Sequence, residues 1–351
     1  PPPPPPPPSP PLDNLRRQRQ MCIRDRFYKA HSDFVIQKKL LPTLKSGTRI
    51  VCMDEEGLIF PSPDWYMRHR IGTGAYLDHL DAIFTWGPLQ HGILEASFPE
   101  VAHKLHMTGN QRLRPVPRPD DTKRDIILIN TNFGPANLSK MIKETYVEMV
   151  EKQRVETSPE DRRFLESRQE YYGQLINHYL SFARDLAAEN ERRGSPFKIV
   201  LRPHPIEDMV FWTEALSDVD VTVETKKQTT DFFPACHCVI HTGCTTALEA
   251  FLAGVPVLRY NPIYKKENIQ ESIIPNAVSK DVSDAKQVFS FVHEDIDMKQ
   301  ALSNYIYFGD ASPNQMQASI IDDLEVEEVR HIPALGPASA LRESFDVWRC
   351  N

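Results

Sequence analysis

The turn Arg202-Pro203-His204-Pro205 carries residue types suited to anion chemistry. Prolines on both sides of His204 restrict the backbone and limit the direction of the imidazole. Arg202 adds a permanent, forked cation that matches the geometry of a phosphate. A hydrogen-donating His204 can stabilise a departing phosphate group, whereas the simpler alternative is a plain turn with an exposed histidine. We predict a catalytic role for His204 and an anion-binding role for Arg202.

A second anion site is predicted at His241-Thr242-Gly243-Cys244-Thr245-Thr246. A glycine here leads into a helix whose first turn presents free N–H groups and two hydroxyls. Glu249, one turn further along, can accept hydrogen bonds from ribose hydroxyls. The alternative is that Thr245 and Thr246 act only as N-caps.

The cysteines favour buried thiols over disulfides, because the six of them show no framework spacing. An alternative interpretation of this region is a zinc site made of Cys236, Cys238, His241 and Cys244. Strand alternation disfavours it, since Cys236 and Cys238 fall on the face opposite His241. We therefore predict no metal site.

Three adjacent carboxylates precede a glycine in Asp54-Glu55-Glu56-Gly57. Mutual repulsion and partial burial would raise the pKa of at least one of them and make it a candidate base. A solvated acidic loop is the alternative. His91 and the turn Gly109-Asn110-Gln111-Arg112 belong to the same predicted sheet edge, so we expect His91, Asn110 and Arg112 to face the same cleft.

These motifs follow short apolar runs that alternate with helical stretches, a pattern typical of parallel α/β architecture. Ligands of such sheets bind at the carboxyl ends of the strands, which is where Asn130-Thr131-Asn132 also lies. A long charged helix is predicted over residues 160–193, with Ser158 as N-cap and Pro159 at its first position. The predicted strands are residues 49–53, 82–86, 105–108, 126–129, 197–201, 219–223, 238–241 and 255–260.

Composition divides the chain unevenly. Ten of the first eleven residues are proline, and five arginines follow by residue 26. We expect residues 1–26 to be non-native or disordered, with a proline-rich docking tail as the alternative. Residues 27–113 contain too few strands for a complete domain, and we expect a truncated N-terminal domain whose first helix covers residues 27–40. The further expected boundaries are a proline-rich linker at 114–121, a complete second domain at 122–330 and a tail at 331–351.

Net charge and hydrophobic content indicate which broad class of protein this chain belongs to. The 351-residue chain has a net charge of −7 and is 40% hydrophobic, which is typical of a globular protein and disfavours a general nucleic-acid binder. No stretch approaches the ~20 apolar residues that span a bilayer. We expect a cytoplasmic location.

Taken in order, the five motifs resemble the surface carbohydrate biosynthesis protein family over roughly residues 27–308. The combination of Glu55-Glu56-Gly57, His204-Pro205 and Thr245-Thr246 is also similar to bacterial sialyltransferases and Kdo transferases of the GT-B fold, which use CMP-activated acidic sugars.

The resemblance implies an α/β, GT-B-like fold in which two Rossmann-type parallel-sheet domains face a cleft. It implies a glycosyltransferase of capsule or lipopolysaccharide biosynthesis that moves a sugar from a nucleotide donor, favouring CMP-sugars, to a glycan or lipid-linked glycan. No cofactor, metal or nucleic acid is implied, and peripheral association with the inner face of the cytoplasmic membrane is compatible with it.

The resemblance also implies residue roles. A carboxylate among Asp54, Glu55 and Glu56 would deprotonate the acceptor, or act as nucleophile in a retaining variant. The acceptor side would comprise His91, Asn110 and Arg112. The donor-binding residues that the resemblance implies are Asn130, Asn132, His204, Thr245, Thr246 and Glu249. The motifs themselves add Thr131, Arg202, Thr242 and Gly243 to the predicted donor side.

Two alternatives remain open. One is an enzyme of related GT-B fold, either a polyol-phosphate transferase that uses a CDP-alcohol or a nucleotide-sugar 2-epimerase. The other is an inactive fragment that binds nucleotide sugars without turning them over.

Overall fold

The computed structural model describes residues 49–54, 57–72, 74, 76–116, 123–151, 158–264, 272–291 and 297–324, together with the backbone of residues 25–28. Glu55, Glu56, the prolines of residues 1–11, most of the predicted linker and the predicted tail at 331–351 lie outside the described residues. None of the described helices is both long and apolar enough to span a membrane.

The first sheet has four parallel strands in the order β1-β2-β3-β4. They are β1 (Asp25–Tyr28), β2 (Arg49–Met53), β3 (Ala82–Thr85) and β4 (Leu105–Met107). Strand β1 differs from the sequence interpretation in two ways. It contains Asp25 and Arg26, which we expected to be non-native or disordered, and Phe27, where we expected a helix to begin. Phe27 and Tyr28 are strand-forming aromatic residues, and Phe27 pairs in register with Val51.

The second sheet has six parallel strands in the order β10-β9-β8-β5-β6-β7. Counted from β5, this is the doubly wound order 3-2-1-4-5-6, whose ligand crevice lies at the carboxyl ends of β5 and β8. Two Rossmann-type parallel sheets confirm the predicted fold class. The strands are β5 (Ile126–Asn130), β6 (Lys198–Arg202), β7 (Thr222–Val223), β8 (Cys236–His241), β9 (Val257–Tyr260) and β10 (Lys280–Val282).

The predicted long helix is present as α4. Its N-terminus carries a capping box, in which the Ser158 hydroxyl accepts from Asp161 N and Asp161 accepts from Ser158 N. The α-helices are α1 (Pro63–Tyr66), α2 (Pro88–Ser97), α3 (Tyr146–Glu151), α4 (Pro159–Arg192), α5 (Met209–Ala215), α6 (Thr245–Leu252), α7 (Ile273–Ala277), α8 (Ala285–Ser290), α9 (Met298–Leu302) and α10 (Pro313–Asp323). Shorter 3-10 turns cover Leu77–His79, Pro99–Lys104 and Thr229–Ala235, and a π-helical turn covers Met67–Ile71.

One hydrophobic core joins the two sheets. It runs from Phe84 and Trp86 of the first sheet region to Val239 of β8 and Leu248 of α6, all of them fully buried. Helix α4 covers the opposite face of the second sheet. Burial of this continuous apolar surface holds the two sheets together.

Residues 302–324, which we predicted to belong to the second domain, pack against the first sheet. Tyr307 N donates to Trp86 O at 2.8 Å, and Leu89 N donates to Asn304 O at 3.1 Å. The Gln317 amide of α10 donates to Thr108 Oγ1 at 3.0 Å just beyond β4. We call residues 302–313 the return segment, because it brings the chain back to the first sheet.

The return segment lies so close to the first sheet that glycine is required beneath it. At Gly109 φ is +76°, and an added Cβ would stand 2.5 Å from Tyr307 O. We expect Gly109→Ala to lower the free energy of unfolding by about 2–4 kcal/mol, because it combines left-handed backbone strain with a backbone clash. Urea unfolding monitored by tryptophan fluorescence measures this loss.

Gly92→Ala is the matched control, since a Cβ there has no neighbour within 4 Å and alanine favours the helix by about 0.5–1 kcal/mol. Equal urea midpoints for the Gly109→Ala protein and the wild type would contradict the close approach.

Candidate functional site

A cleft of about 600 Å³ opens at the carboxyl edge of the second sheet. Its walls come from the segment that leaves the first sheet, from the turn after β6, from the 3-10 turn Thr229–Ala235 and from α6. The residues that line it are Arg112, Arg114, Val116, Arg202, His204, Pro205, Gln228, Thr229, Thr230, Phe233, Pro234, Thr246, Glu249 and Ala253.

The lining of this cleft is strongly cationic. It contains Arg112, Arg114 and Arg202, against Glu249 as its one carboxylate among the described residues. Arg202 Nε donates to Lys227 O at 2.9 Å, which fixes the guanidinium at the edge of the cleft. Partial burial lowers the pKa of Arg202, an effect opposed by nearby acidic groups such as Glu224. A cleft with this charge attracts anions, and guanidinium groups bind phosphate in particular.

His204 borders the cleft in a defined orientation. Its Nδ1 accepts a hydrogen bond from Ile206 N at 3.3 Å, so the neutral ring carries its proton on Nε2. Removal of water by surrounding protein atoms, and then the charge of Arg202, lower the pKa of His204 below its usual value. The neutral imidazole therefore offers one Nε2–H donor, which suits hydrogen bonding to an anionic oxygen better than proton donation.

Glu207, which we did not predict as a site residue, holds this turn in place. The carboxylate is 1% exposed. Its Oε1 accepts from His204 N at 3.0 Å, from Phe133 N at 3.0 Å and from Thr131 Oγ1 at 2.8 Å. Its Oε2 accepts from Trp212 Nε1 at 2.8 Å. Glu207 thereby ties the turn after β6 to the end of β5, and its burial raises its pKa.

The polar residues after β5 and β8 lie behind the cleft. Asn130 is buried, donates to Cys244 Sγ at 3.3 Å and accepts from Thr229 Oγ1 at 3.4 Å. Thr131 is buried against Glu207. Asn132, Thr242, Gly243 and Thr245 do not line the cleft either. The Thr242 hydroxyl is buried and has no hydrogen-bond partner within the described part of the chain.

His241, which ends β8, has a structural role. Its Nδ1 accepts from Gly243 N at 2.7 Å, and Gly243 has φ +93°. Its Nε2 lies 2.6 Å from Ser279 Oγ, which in turn donates to Pro275 O. Burial, followed by the charge of Arg259, lowers the pKa of His241 to about 3. The neutral ring therefore shapes the turn that leads into α6.

Arg112 and Glu249 connect the two sides of the cleft. Arg112 Nε lies 2.9 Å and Nη2 2.7 Å from Glu249 Oε1, with Arg112 half-exposed and Glu249 largely buried. We predicted Arg112 on the acceptor side and Glu249 on the donor side. The structure places both in one cleft.

Asp54 differs from the predicted free base. Its carboxylate is fully buried and is bound by Arg70 through both guanidinium Nε and Nη2. Its carbonyl oxygen accepts from Trp86 Nε1 at 2.6 Å and from Gly57 N at 3.1 Å. Asp54 thus anchors the loop after β2, because Arg70, sixteen residues further along, neutralises it. It does not line the cleft.

The remaining predicted acceptor-side residues also lie outside the cleft. His91 Nδ1 is 3.2 Å from Thr85 Oγ1. Asn110 is buried and accepts from Arg112 N at 2.9 Å through its side chain, which shapes the turn that presents Arg112. The structure therefore brings together five of the predicted residues: Arg112, Arg202, His204, Thr246 and Glu249. Arg114, which we assigned to a linker, joins them.

No protein-family model matches the sequence, and no curated protein matches it. Among the described residues, no group of three or more His, Cys, Asp or Glu side chains is placed to hold a metal ion.

Solved structures show similarity at low sequence identity. The UDP-GlcNAc 2-epimerase of Methanocaldococcus jannaschii in complex with UDP-GlcNAc and UDP is 11% identical, with 89% of this chain and 79% of that chain covered and a TM-score of 0.43. A variant of the wall teichoic acid polymerase TagF is 10% identical, with 86% and 73% covered and a TM-score of 0.45.

The accessory secretory proteins of Streptococcus pneumoniae are also similar. Identity is 12%, 90% of this chain is covered and the TM-score is 0.40. This chain spans 54% of that one, about half of its length.

Proposed function

We propose that this protein is an enzyme acting on nucleotide-activated sugars, specifically a glycosyltransferase of bacterial surface polysaccharide biosynthesis. The observation that carries the proposal is the cationic cleft at the carboxyl edge of the doubly wound sheet, with the proline-flanked His204 at its rim. Ligands of such sheets bind at this edge.

The cleft residues suggest a division of roles. Arg202 and the His204 Nε2–H stabilise the negative charge that develops on the leaving nucleotide phosphate. A phosphate is a weak base, so it departs without taking a proton. Glu249 accepts from the ribose hydroxyls once the nucleotide displaces it from Arg112. Because Arg70 neutralises Asp54, the role of acceptor base stays a prediction for Glu55 and Glu56.

The number of guanidinium groups supports a second candidate. A CMP-sugar carries one phosphate charge, whereas a nucleoside diphosphate carries two adjacent phosphates that three arginines match more fully. This favours a UDP- or CDP-linked substrate, and with it a 2-epimerase or a polyol-phosphate transferase, over the CMP-sugar that the resemblance implies.

Isothermal titration with CMP, CDP and UDP tests nucleotide binding in the cleft and separates the donor nucleotides. We expect micromolar to millimolar binding of at least one nucleotide. Arg202→Ala should weaken it by about tenfold or more, the effect of losing one charge-assisted contact.

Arg184→Ala is the matched control, because Arg184 pairs with Asp218 on the outer surface of α4 and loses the same charge far from the cleft. Absence of binding by all three nucleotides, or equal losses in the two variants, would overturn the proposal. Binding of UDP alone would exclude the CMP-sugar donor.

A further inference from the structure

A second, smaller cavity lies where the chain crosses between the two sheets. It has a volume of about 190 Å³ and is enclosed by residues 113–115 on one side and by Lys299 and the return segment on the other. Tyr307, Phe308 and Pro313 form its apolar wall. We call it the crossover cavity. It is distinct from the larger cleft, with which it shares Arg114.

Two cationic residues line the crossover cavity. Arg114 and Lys299 come from separate segments, and neither makes an ion pair or side-chain hydrogen bond with any described residue. Among the described residues, no carboxylate lines the cavity. Several other arginines pair with acids, as Arg70 does with Asp54 and Arg259 with Asp281. Two uncompensated cations at one cavity favour an anionic ligand.

The size and lining of the crossover cavity indicate which kind of molecule bears the anionic group. The volume equals that of about six water molecules at ~30 Å³ each, which is enough for a single six-membered sugar ring and too small for a nucleotide. The Tyr307 ring is partly exposed and lies over Gly309, where an added Cβ would be 2.7 Å from Tyr307 Cε1. An aromatic face beside hydrogen-bond donors suits the apolar face and polar rim of a sugar.

We propose that the crossover cavity binds an acidic sugar unit, with its carboxylate or phosphate held between Arg114 and Lys299 and its ring against Tyr307. Because Arg114 also lines the larger cleft, a ligand in one cavity alters the charge available to the other. The proposal rests on the proposed function only for the sugar nature of the ligand. It places an anionic glycan unit beside the nucleotide cleft.

Binding of small sugars to the full chain, measured by ligand-observed NMR and calorimetry, tests the proposal. Glucuronate carries the carboxylate, glucose 1-phosphate carries the phosphate, and methyl glucoside is the neutral reference. We expect at least one of the acidic sugars to bind and methyl glucoside to bind at least tenfold more weakly. Binding of glucuronate alone would identify the ligand as a uronic acid, and binding of glucose 1-phosphate alone would identify it as a sugar phosphate.

Lys299→Ala should weaken the binding of the acidic sugar about tenfold, because it removes one charge-assisted contact. Lys286→Ala removes the same charge from α8, outside this cavity, and should leave binding unchanged. Binding of neither acidic sugar, equal binding of the neutral sugar, or equal losses in the two lysine variants would overturn the proposal. Titration of the Lys299→Ala protein with nucleotides separates this proposal from the proposed function. Nucleotide binding should be unchanged in this variant, since Lys299 does not line the larger cleft.

Discussion

Glu207→Ala is expected to lower the free energy of unfolding by about 3–5 kcal/mol. The substitution leaves the buried donors Phe133 N, His204 N and Trp212 Nε1 without their acceptor. Each unpaired buried donor costs about 1–3 kcal/mol, while the Thr131 hydroxyl can rotate to another acceptor. Chemical unfolding followed by circular dichroism measures the loss.

Two further variants separate the hydrogen bonds of Glu207 from its charge and size. Glu207→Gln keeps one acceptor oxygen for the backbone donors but points an NH₂ group at Trp212 Nε1, so we expect a smaller loss of about 1–3 kcal/mol. Glu214→Ala, at an exposed position of α5, should change stability by less than ~0.5 kcal/mol. A Glu207→Ala protein as stable as the Glu214→Ala protein would refute the bridging role.

His204→Ala is expected to lower turnover of the nucleotide-sugar substrate by about 10²- to 10⁴-fold, because it removes a donor aimed at the developing phosphate charge. The expected effect falls on kcat more than on KM, since the contact strengthens as charge develops. His178→Ala, at an exposed position of α4, is the control and should retain wild-type turnover. Near-normal kcat in the His204→Ala protein would remove His204 from the mechanism.

The pH dependence of nucleotide binding gives a second readout for His204. In the free protein its pKa is lowered by desolvation and by Arg202, so the ring is neutral near pH 7. A bound phosphate favours the imidazolium and raises that pKa, so binding takes up a proton. Affinity should therefore rise as pH falls from about 8 to 6.5, above the range in which the nucleotide phosphate itself takes up a proton at a second pKa of about 6, and His204→Asn should flatten this slope. An unchanged slope in that variant would contradict the contact.

The position of the cleft was predictable because parallel strands align their carboxyl ends. Arg202, His204, Thr246 and Glu249 each follow a recognisable strand or begin the helix after one, and together they border one cleft. Glu207 was harder to recognise. The sequence shows only a carboxylate three residues after His204 in the same turn. In a surface loop such a residue predicts little, and the bridging role of Glu207 follows only from its burial.

For Asp54, the neighbouring residues in the sequence led to a prediction that the structure does not support. Its sequence neighbours suggested repulsion between carboxylates, but the group that determines its state is Arg70, which the π-helical turn Met67–Ile71 brings into contact with it. We did not predict a site role for Arg114, because the prolines that follow it indicated a linker. A local sequence pattern does not show that such a linker lines two cavities. Contacts between distant segments decided each of these cases.

Helix α10 and Leu324, which follow the return segment, also constrain the order in which the fold can form during synthesis on the ribosome. The Arg49 guanidinium of β2 donates to Leu324 O, 275 residues further along the chain, and Gln317 reaches Thr108 across 209 residues. The first sheet is synthesised early, yet α10 covers it only after the whole second sheet has been made. Such long sequence separations slow folding and leave apolar strands exposed in the nascent chain. Synthesis arrested before residue 302 would therefore release a first sheet that lacks its cover and tends to aggregate.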